Sequence, residues 1–352
     1  MFIHARRRIF LLASLLCAAA ASAQQAGPST ATTAPAAPRA GRIVLDVVVT
    51  AKSGAPVGGL QRQDFTLLDN KVPQTLASFQ AIAGREAPVE VTVVIDAANA
   101  VYRTVGFDRD EIDKFLRTNE DLPHPTALSA VTDTGTQVQK GFSTNGTVLA
   151  NSLEQFTIGL RTVPDSTGFQ GANERFQLSL ESLRNLVAAE APRPGRKVLL
   201  WISPGWPLLT GPRIRLDDKD QQRLFAQVVD LSTQLLQSHA TLYSIDPLGT
   251  ADIGTATFYW REFIKGVSKP SQIQAANLAL PVLATQSGGI AFNSNNDVSA
   301  ELQKCFVDIG TYYELSFDPP PASGPHQYHQ LEVRVAKPGL TARTRQGYYS
   351  QP

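Results

Sequence analysis

The fold class this sequence predicts is a doubly wound, mostly parallel α/β sheet with helices on both faces, joined to a small β unit made from both ends of the chain. Three observations predict it. Residues 91–95 (VTVVI), 198–202 (VLLWI) and 240–245 (ATLYSI) are short, mostly apolar runs, as strands covered on both faces require. Segments with helical periodicity separate them, and strand, helix, strand at this spacing means parallel strands joined by crossover helices. At both ends of the chain the hydrophobic period returns to two, the mark of half-buried antiparallel strands.

Taken in order, residues 1–23 read as a secretory signal. Arg6, Arg7 and Arg8 form a basic start, residues 9–20 an apolar middle, and Ala21-Ser22-Ala23 a small-residue cleavage site. The apolar run is too short for a membrane span, so none is expected in the mature chain. Cys17 would be lipidated only if a lipoprotein enzyme accepted Leu16 before it, and leucine is bulkier than such processing usually takes. Residues 24–41 are dominated by Ala, Pro, Thr, Ser and Gln, too few apolar groups to offset the entropy of ordering, and form a tether.

Residues 42–86 then carry three short strands, at 43–50, 65–68 and 75–82, with turns around Ser53-Gly54 and Asp69-Asn70-Lys71. Residues 87–310 carry the α/β pattern. After the strand ending at Asp96 a helix is expected over 109–116, strands over 128–131 and 136–142, and helices over 147–156 and 175–189. The strand at 198–202 is followed by a helix over 224–237, and the strand at 240–245 by a long irregular piece. A helix over 272–286 interrupted at Pro281, a strand at 290–293 and a helix over 298–309 complete the set. Residues 311–352 return to period two, with Leu331, Val333 and Val335 on one face, and are expected to pack with 42–86 because neither set closes a core alone.

Composition narrows the function classes. The chain has 352 residues, 43% apolar and 18% charged, ample for a core. Removing the signal takes three of the 32 basic residues and none of the 31 acidic ones, which leaves a slightly negative chain with no basic patch for nucleic acid. Of the two cysteines only Cys305 would remain. An internal disulfide is then impossible, and Cys305 falls on a helix stripe with Leu302, Phe306 and Ile309 as a small hydrophobe.

The segments PVEVTVVIDAANA, GRKVLLWISPGWP, ATLYSIDPLGT, LATQSGGIAFNSNND and YYELSFDP followed by YHQLEVRVAKPGLTARTRQGYY, with the opening LDVVVTAKSGAPVGGLQRQDFTLLDNKVPQTLASF, together resemble the acidobacterial-type von Willebrand factor A-related proteins over residues 42–349. The resemblance implies a von Willebrand factor A-like doubly wound sheet. In that fold a divalent cation is usually held by a DxSxS motif after the first strand, a threonine from a second loop and an aspartate after the fourth strand, because a hard cation takes carboxylate and hydroxyl oxygens. Here Asp96 keeps the first position, Ala98 and Ala100 replace the serines, and Pro204 follows Ser203 where the later acid would stand. Thr167 is the candidate loop threonine. The expectation is a degenerate adhesion site without a cofactor; the alternative is a cation-dependent adhesin with magnesium or calcium at Asp96.

No enzyme is expected. A GxSxG elbow is absent, Ser203 has no defensible His and Asp partners, and His124, His239, His326 and His329 lie in unrelated settings. Asp96 itself reads either as a ligand or as an acid that holds its own loop through backbone N–H groups. The candidate binding residues are Asp96, Asn99, Trp206, Tyr259 and Trp260, a protein-contact rim at the strand ends with aromatic anchors. The expected partner is another protein, and the expected location is outside the cell or in its envelope.

Overall fold

Strand β5 (Val89–Asp96) holds the central place in the larger sheet. It pairs in parallel with β6 (Asp121–Thr132) on one side and β9 (Arg196–Ile202) on the other. Beyond β9 lie β10 (Ala240–Ile245) and β11 (Ala291–Phe292), also parallel. Beyond β6 lies β7 (Gly135–Val138), antiparallel, and β8 (Ser143–Asn145) pairs further back along β6. The order β11-β10-β9-β5-β6-β7 reverses direction between β5 and β9, which is the switch point of a doubly wound sheet. The structure, a computed structural model, describes residues 41–158, 168–207, 216–249, 259–322 and 324–351. The expectations for residues 1–40 and for Thr167 lie outside the described residues.

Helices cover both faces because each carries one apolar stripe. On one side α1 (Tyr102–Thr118), α2 (Gly146–Glu154) and α6 (Val298–Ile309) pack Ile112, Phe115, Leu149, Leu302 and Phe306 against Val91, Val93 and Ile95. On the other, α3 (Gly168–Glu190), α4 (Asp218–Gln237) and α5 (Leu280–Gln286) pack Phe176, Leu183, Val228 and Leu283 against Val94, Leu199 and Trp201. Cys305 is fully buried in the first cluster.

Several boundaries differ from the sequence reading, each for a local reason. Pro281 does not interrupt a long helix but stands in the first turn of α5, where its missing N–H costs nothing. The residues before it form short 3-10 turns at Pro270–Gln272 and Ala275–Leu278. Strand β6 begins seven residues earlier than its apolar run, and it absorbs Pro123 and Pro125 because the β8 pairing jumps from Asp121 to Thr126. Helix α1 starts at Tyr102, a whole turn and more before the apolar stripe shows itself.

The two ends of the chain build two four-stranded sheets. The first has the order β14-β1-β12-β4, with β1 at Ile43–Ala51, β4 at Leu76–Ala83, β12 at Thr311–Phe317 and β14 at Leu340–Arg343. The second has the order β15-β13-β2-β3, with β2 at Phe65–Asp69, β3 at Val72–Gln74, β13 at Tyr328–Val335 and β15 at Gly347–Tyr349. Asn70 and Lys71 join β2 to β3 at φ of 48° and 69°, the left-handed pair that a tight two-residue hairpin demands. Leu45, Val47, Phe65, Leu67, Leu315 and Leu331 fill the space between the sheets. The outer face of the first sheet is buried too, since Val48, Ile82 and Tyr312 join the α/β core.

Buried charges fix this junction. Asp308 on α6 accepts from the Tyr243 hydroxyl of β10 at 2.5 Å and from the Arg343 guanidinium of β14. Arg196 at the start of β9 lies over the Tyr312 ring at 4.8 Å and 3.5 Å from the Asp46 carboxylate. In the second sheet His329 meets Asp69 at 2.9 Å and stacks on Tyr348, while His326 is exposed, so the two histidines do not converge.

His124, on the proline-bearing end of β6, is fully buried and neither ring nitrogen has a hydrogen-bond partner. Burial first, and then the charges of Arg196 and Arg85, pull its pKa from 6.5 down to about 4. Below pH 6.5 the unfolded chain therefore takes up a proton that the folded chain refuses, and stability is lost as pH falls. His124→Gln removes that penalty, so its stability relative to the parent should rise by up to about 3 kcal/mol between pH 6.5 and 4, read by urea denaturation. A pH-independent difference would refute this.

Candidate functional site

The site is built where β5 and β9 end side by side. Asp96 closes β5 and is fully buried. The chain after it is pulled back across the sheet, since the N–H groups of Ala97 and Ala98 both donate to the Val131 carbonyl of β6, at 2.8 and 3.1 Å. This tight return places Ala98 in the core on one side of the sheet, and Ala97 and Ala100 in the core on the other. Small side chains are what such a turn admits.

Every contact to the Asp96 carboxylate comes from a donor. Its Oδ1 accepts from the Asn99 backbone N–H at 3.0 Å and from the Asn99 side-chain amide at 3.1 Å. Its Oδ2 accepts from the same amide at 2.9 Å, from the Trp201 indole N–H at 3.1 Å and from the Ser203 hydroxyl at 2.9 Å. Ser203 in turn accepts from the Gly205 N–H at 3.1 Å. The Asn99 amide also donates to the Ser179 hydroxyl on α3 at 2.8 Å, and Ser179 donates to the Arg175 carbonyl. Burial pushes the Asp96 pKa up, while the donors of Asn99, Trp201 and Ser203 pull it down. Four donor groups making five hydrogen bonds, with no acceptor among them, favour the charged form of a carboxyl against that burial.

The donor set does not fit a divalent cation. The hydrogens of an indole and an amide already point at the two oxygens that a metal would need, and Ala98 and Ala100 are buried methyl groups. Among the described residues no group of three or more His, Cys, Asp or Glu is arranged to hold a metal.

Of the expected rim, Asp96 and Asn99 are hydrogen-bonded to each other, and Trp206 packs on Trp201, which donates to Asp96. Trp206 is 4% exposed and packs edge-on to Trp201 with ring centroids 5.4 Å apart, so it is a core residue and not an open anchor. Gly205, at φ 105°, turns the chain so that the indole folds back over the sheet. Trp260 is half-buried on a separate small cluster with Phe263, Ala276, Ala279 and Val282. Tyr259 opens the 3-10 turn Tyr259–Phe263. The exposed apolar residues are others: Val101 at 52% and Tyr102 at 66%, directly after the Asp96 loop, and, ten residues before Ser179, Phe169 at 59% in the first turn of α3. Sequence reasoning missed Trp201 and Ser179. The signal for Trp201 was a residue with a polar tip inside an otherwise apolar strand, whose N–H must find an acceptor once buried.

Asp108 lies one helical turn from Val105 and from Ile112 on the buried side of α1, fully buried, with neither carboxylate oxygen hydrogen-bonded. Burial first, then the charges of Asp96 and Asp246, push its pKa from 3.8 up to about 8. The folded protein thus keeps this acid neutral where the unfolded chain ionises it, and stability is lost as pH rises from about 4 to 8. Asp108→Asn should stabilise the protein by about 2–4 kcal/mol at pH 8 and by little at pH 4, measured by chemical denaturation. An asparagine variant no more stable than the parent at pH 8 would contradict that.

The strand order and the loop at its switch point define a von Willebrand factor A-like α/β fold, carried here with two additional small sheets. No family model matches the chain and no curated protein matches it. Solved structures do. The chain is similar to manganese-loaded TRAP protein from Plasmodium vivax at 8% identity and a TM-score of 0.34, over 78% of this chain and 98% of that one. It is similar to a von Willebrand factor type A protein from Catenulispora acidiphila at 9% identity and 0.33, over 89% and 75%. It is also similar to proximal thread matrix protein 1 from the mussel byssus at 11% and 0.30, where 67% of this chain spans 49% of that one, about half its length.

Proposed function

We propose that this chain is a secreted, non-enzymatic protein-binding module of the cell envelope whose adhesion site has given up its cation, and that it belongs to the acidobacterial-type von Willebrand factor A-related proteins. The family assignment rests on the order of its motifs over residues 42–349. Secretion rests on the basic, apolar and small-residue pattern of residues 1–23. No helix among the described residues is long and apolar enough to cross a membrane.

The observation that carries the reading is the closed ring of donors around Asp96, next to exposed apolar side chains. A sealed carboxylate cannot offer itself to a partner through a metal. Contact energy then comes from neighbouring apolar surface, and Val101 and Tyr102 begin α1 at that spot. Helix α3 runs down from the same end of the sheet to the start of β9, and Ser179 lies level with Asn99. Phe169 therefore stands about 15 Å further up the helix axis, beyond the sheet edge. Aromatic anchors of this kind carry most of the energy at protein interfaces.

Magnesium, manganese and calcium at millimolar concentration should leave the melting temperature unchanged, because a ligand that binds only the folded state raises it by mass action. A clear rise with any of them, abolished in Asp96→Ala, would instead establish the cation-dependent adhesin. Once a protein partner is captured, Tyr102→Ala and Phe169→Ala together should weaken it at least tenfold, since anchors of this type cost about 1–2 kcal/mol each. Undiminished binding would remove this surface from the reading.

A further inference from the structure

The backbone edge of β4 is the longest open edge among the described strands. Strand β4 closes one side of the sheet β14-β1-β12-β4 and pairs only with β12. It has 8 residues, whereas the other edge strands, β14, β15, β3, β11 and β7, have 4 or fewer. Its pairing with β12 is regular from Ser78 to Ala83, the irregularity being confined to the far end. Open edges are usually blunted by charge, proline, a bulge or shortness. LASFQAIA has no charged residue, no proline and no glycine, and its one register shift falls at Ala77, which leaves the edge from Ser78 to Ala83 regular.

Its side chains suit the same strand approaching antiparallel. Phe79, Ala81 and Ala83 share one face by the period of two, and Ala77 stands at the register shift between Leu76 and Ser78. The three alanines are exposed, and Phe79 is half-buried against Phe65 and Tyr313, with ring centroids 5.5 and 5.9 Å away. A pairing with Gln80 on a two-fold axis sets Phe79 of one copy opposite Ala81 of the other, large against small. No charge faces a like charge along the strand. A two-fold contact must be complementary to itself, and an uncharged strand of alternating small and large residues meets that condition.

We infer that a second copy of this chain occupies the β4 edge, so that two four-stranded sheets join β4 to β4 as one eight-stranded sheet across a two-fold axis. The unpaired N–H and C=O groups of both strands then satisfy each other, and the half-open ring of Phe79 is covered from the side.

Sedimentation equilibrium on the purified chain is expected to show a dimer at concentrations up to about 100 µM. Gln80 is exposed, so Gln80→Lys and Gln80→Glu should each fold with an unchanged thermal melt at low concentration. Each alone puts like charges face to face at the axis and should weaken the dimer at least several-fold. Mixing the two variants should restore it as a heterodimer. In the parent dimer, amide hydrogen exchange along Ala77–Ala83 should slow as concentration rises. A parent chain that stays monomeric throughout that range overturns the inference, as does a dimer that both variants form as readily as the parent. Protection of this edge that appears only when a different protein is added would overturn it in favour of strand donation by that protein.

Discussion

Asp96→Ala is expected to destabilise the protein by about 3–5 kcal/mol, with or without divalent cation present. The substitution removes the shared acceptor of four groups: the Asn99 N–H, the Asn99 amide, the Trp201 indole N–H and the Ser203 hydroxyl. Trp201 and Ser203 are 0% and 1% exposed, so water cannot take the place of the lost oxygens without opening the core. Each buried donor left without an acceptor costs about 1–3 kcal/mol, and the hydroxyl recovers part of its share by rotating. Asp96→Asn keeps the shape but turns one acceptor into a donor that confronts the indole or the hydroxyl, so a smaller loss is expected. Urea denaturation in EDTA and again in millimolar magnesium measures both variants. A loss below about 1 kcal/mol, or one that appears only with cation, would mean that the carboxylate does not hold this corner by itself.

Asp308→Ala should cost a similar amount, about 3–5 kcal/mol, for a different reason. Asp308 is 8% exposed and joins three elements that are far apart in the chain, α6, β10 and β14. Its removal leaves the Tyr243 hydroxyl, in a fully buried residue, without its acceptor and the Arg343 guanidinium without its counter-charge. The Arg343 carbon stem stays in place, and its side chain is 23% exposed, so water reaches part of the orphaned charge and moderates the loss. The double variant Asp308→Leu with Arg343→Met should recover the share due to the orphaned charge, because a buried ion pair replaced by apolar groups of similar size is often neutral, and adding Tyr243→Phe should recover the rest. Equal losses in single and double variants would show that the strand is held by its backbone pairing instead.

The two carboxylates share an end of the sheet and behave differently because their surroundings do. Asp96 is ringed by four donor groups that pull its raised pKa back down; Asp108 has none and is held neutral. An acid kept without a partner beside another acid is a standing cost, and the asparagine variant measures it.

Much of the fold was written in local pattern. The apolar runs at β5, β9 and β10 are legible because strands buried on both faces must be continuous in hydrophobicity, and the intervening helices show their stripes. Asp96 was found as a strand-end acid, and the methyl side chains of Ala98 and Ala100 can be read from the letters alone. The start of α1 and the proline end of β6 were not legible, since neither carries an apolar period and both are held by neighbours distant in sequence.

Periodicity and connection length are properties of short stretches, so the succession of strands and helices, and with it the place where β5 and β9 end together, is legible in the letters. The surroundings of Asp96 there, and the choice of which aromatics face water, come from packing between distant segments. Trp201, Ser203 and Ser179 reach that carboxylate and its asparagine from 80 to 107 residues away, and Trp206 is hidden by a neighbour that no local pattern specifies. Contacts across such separations depend on how packed layers meet, and that geometry is set by the whole core at once.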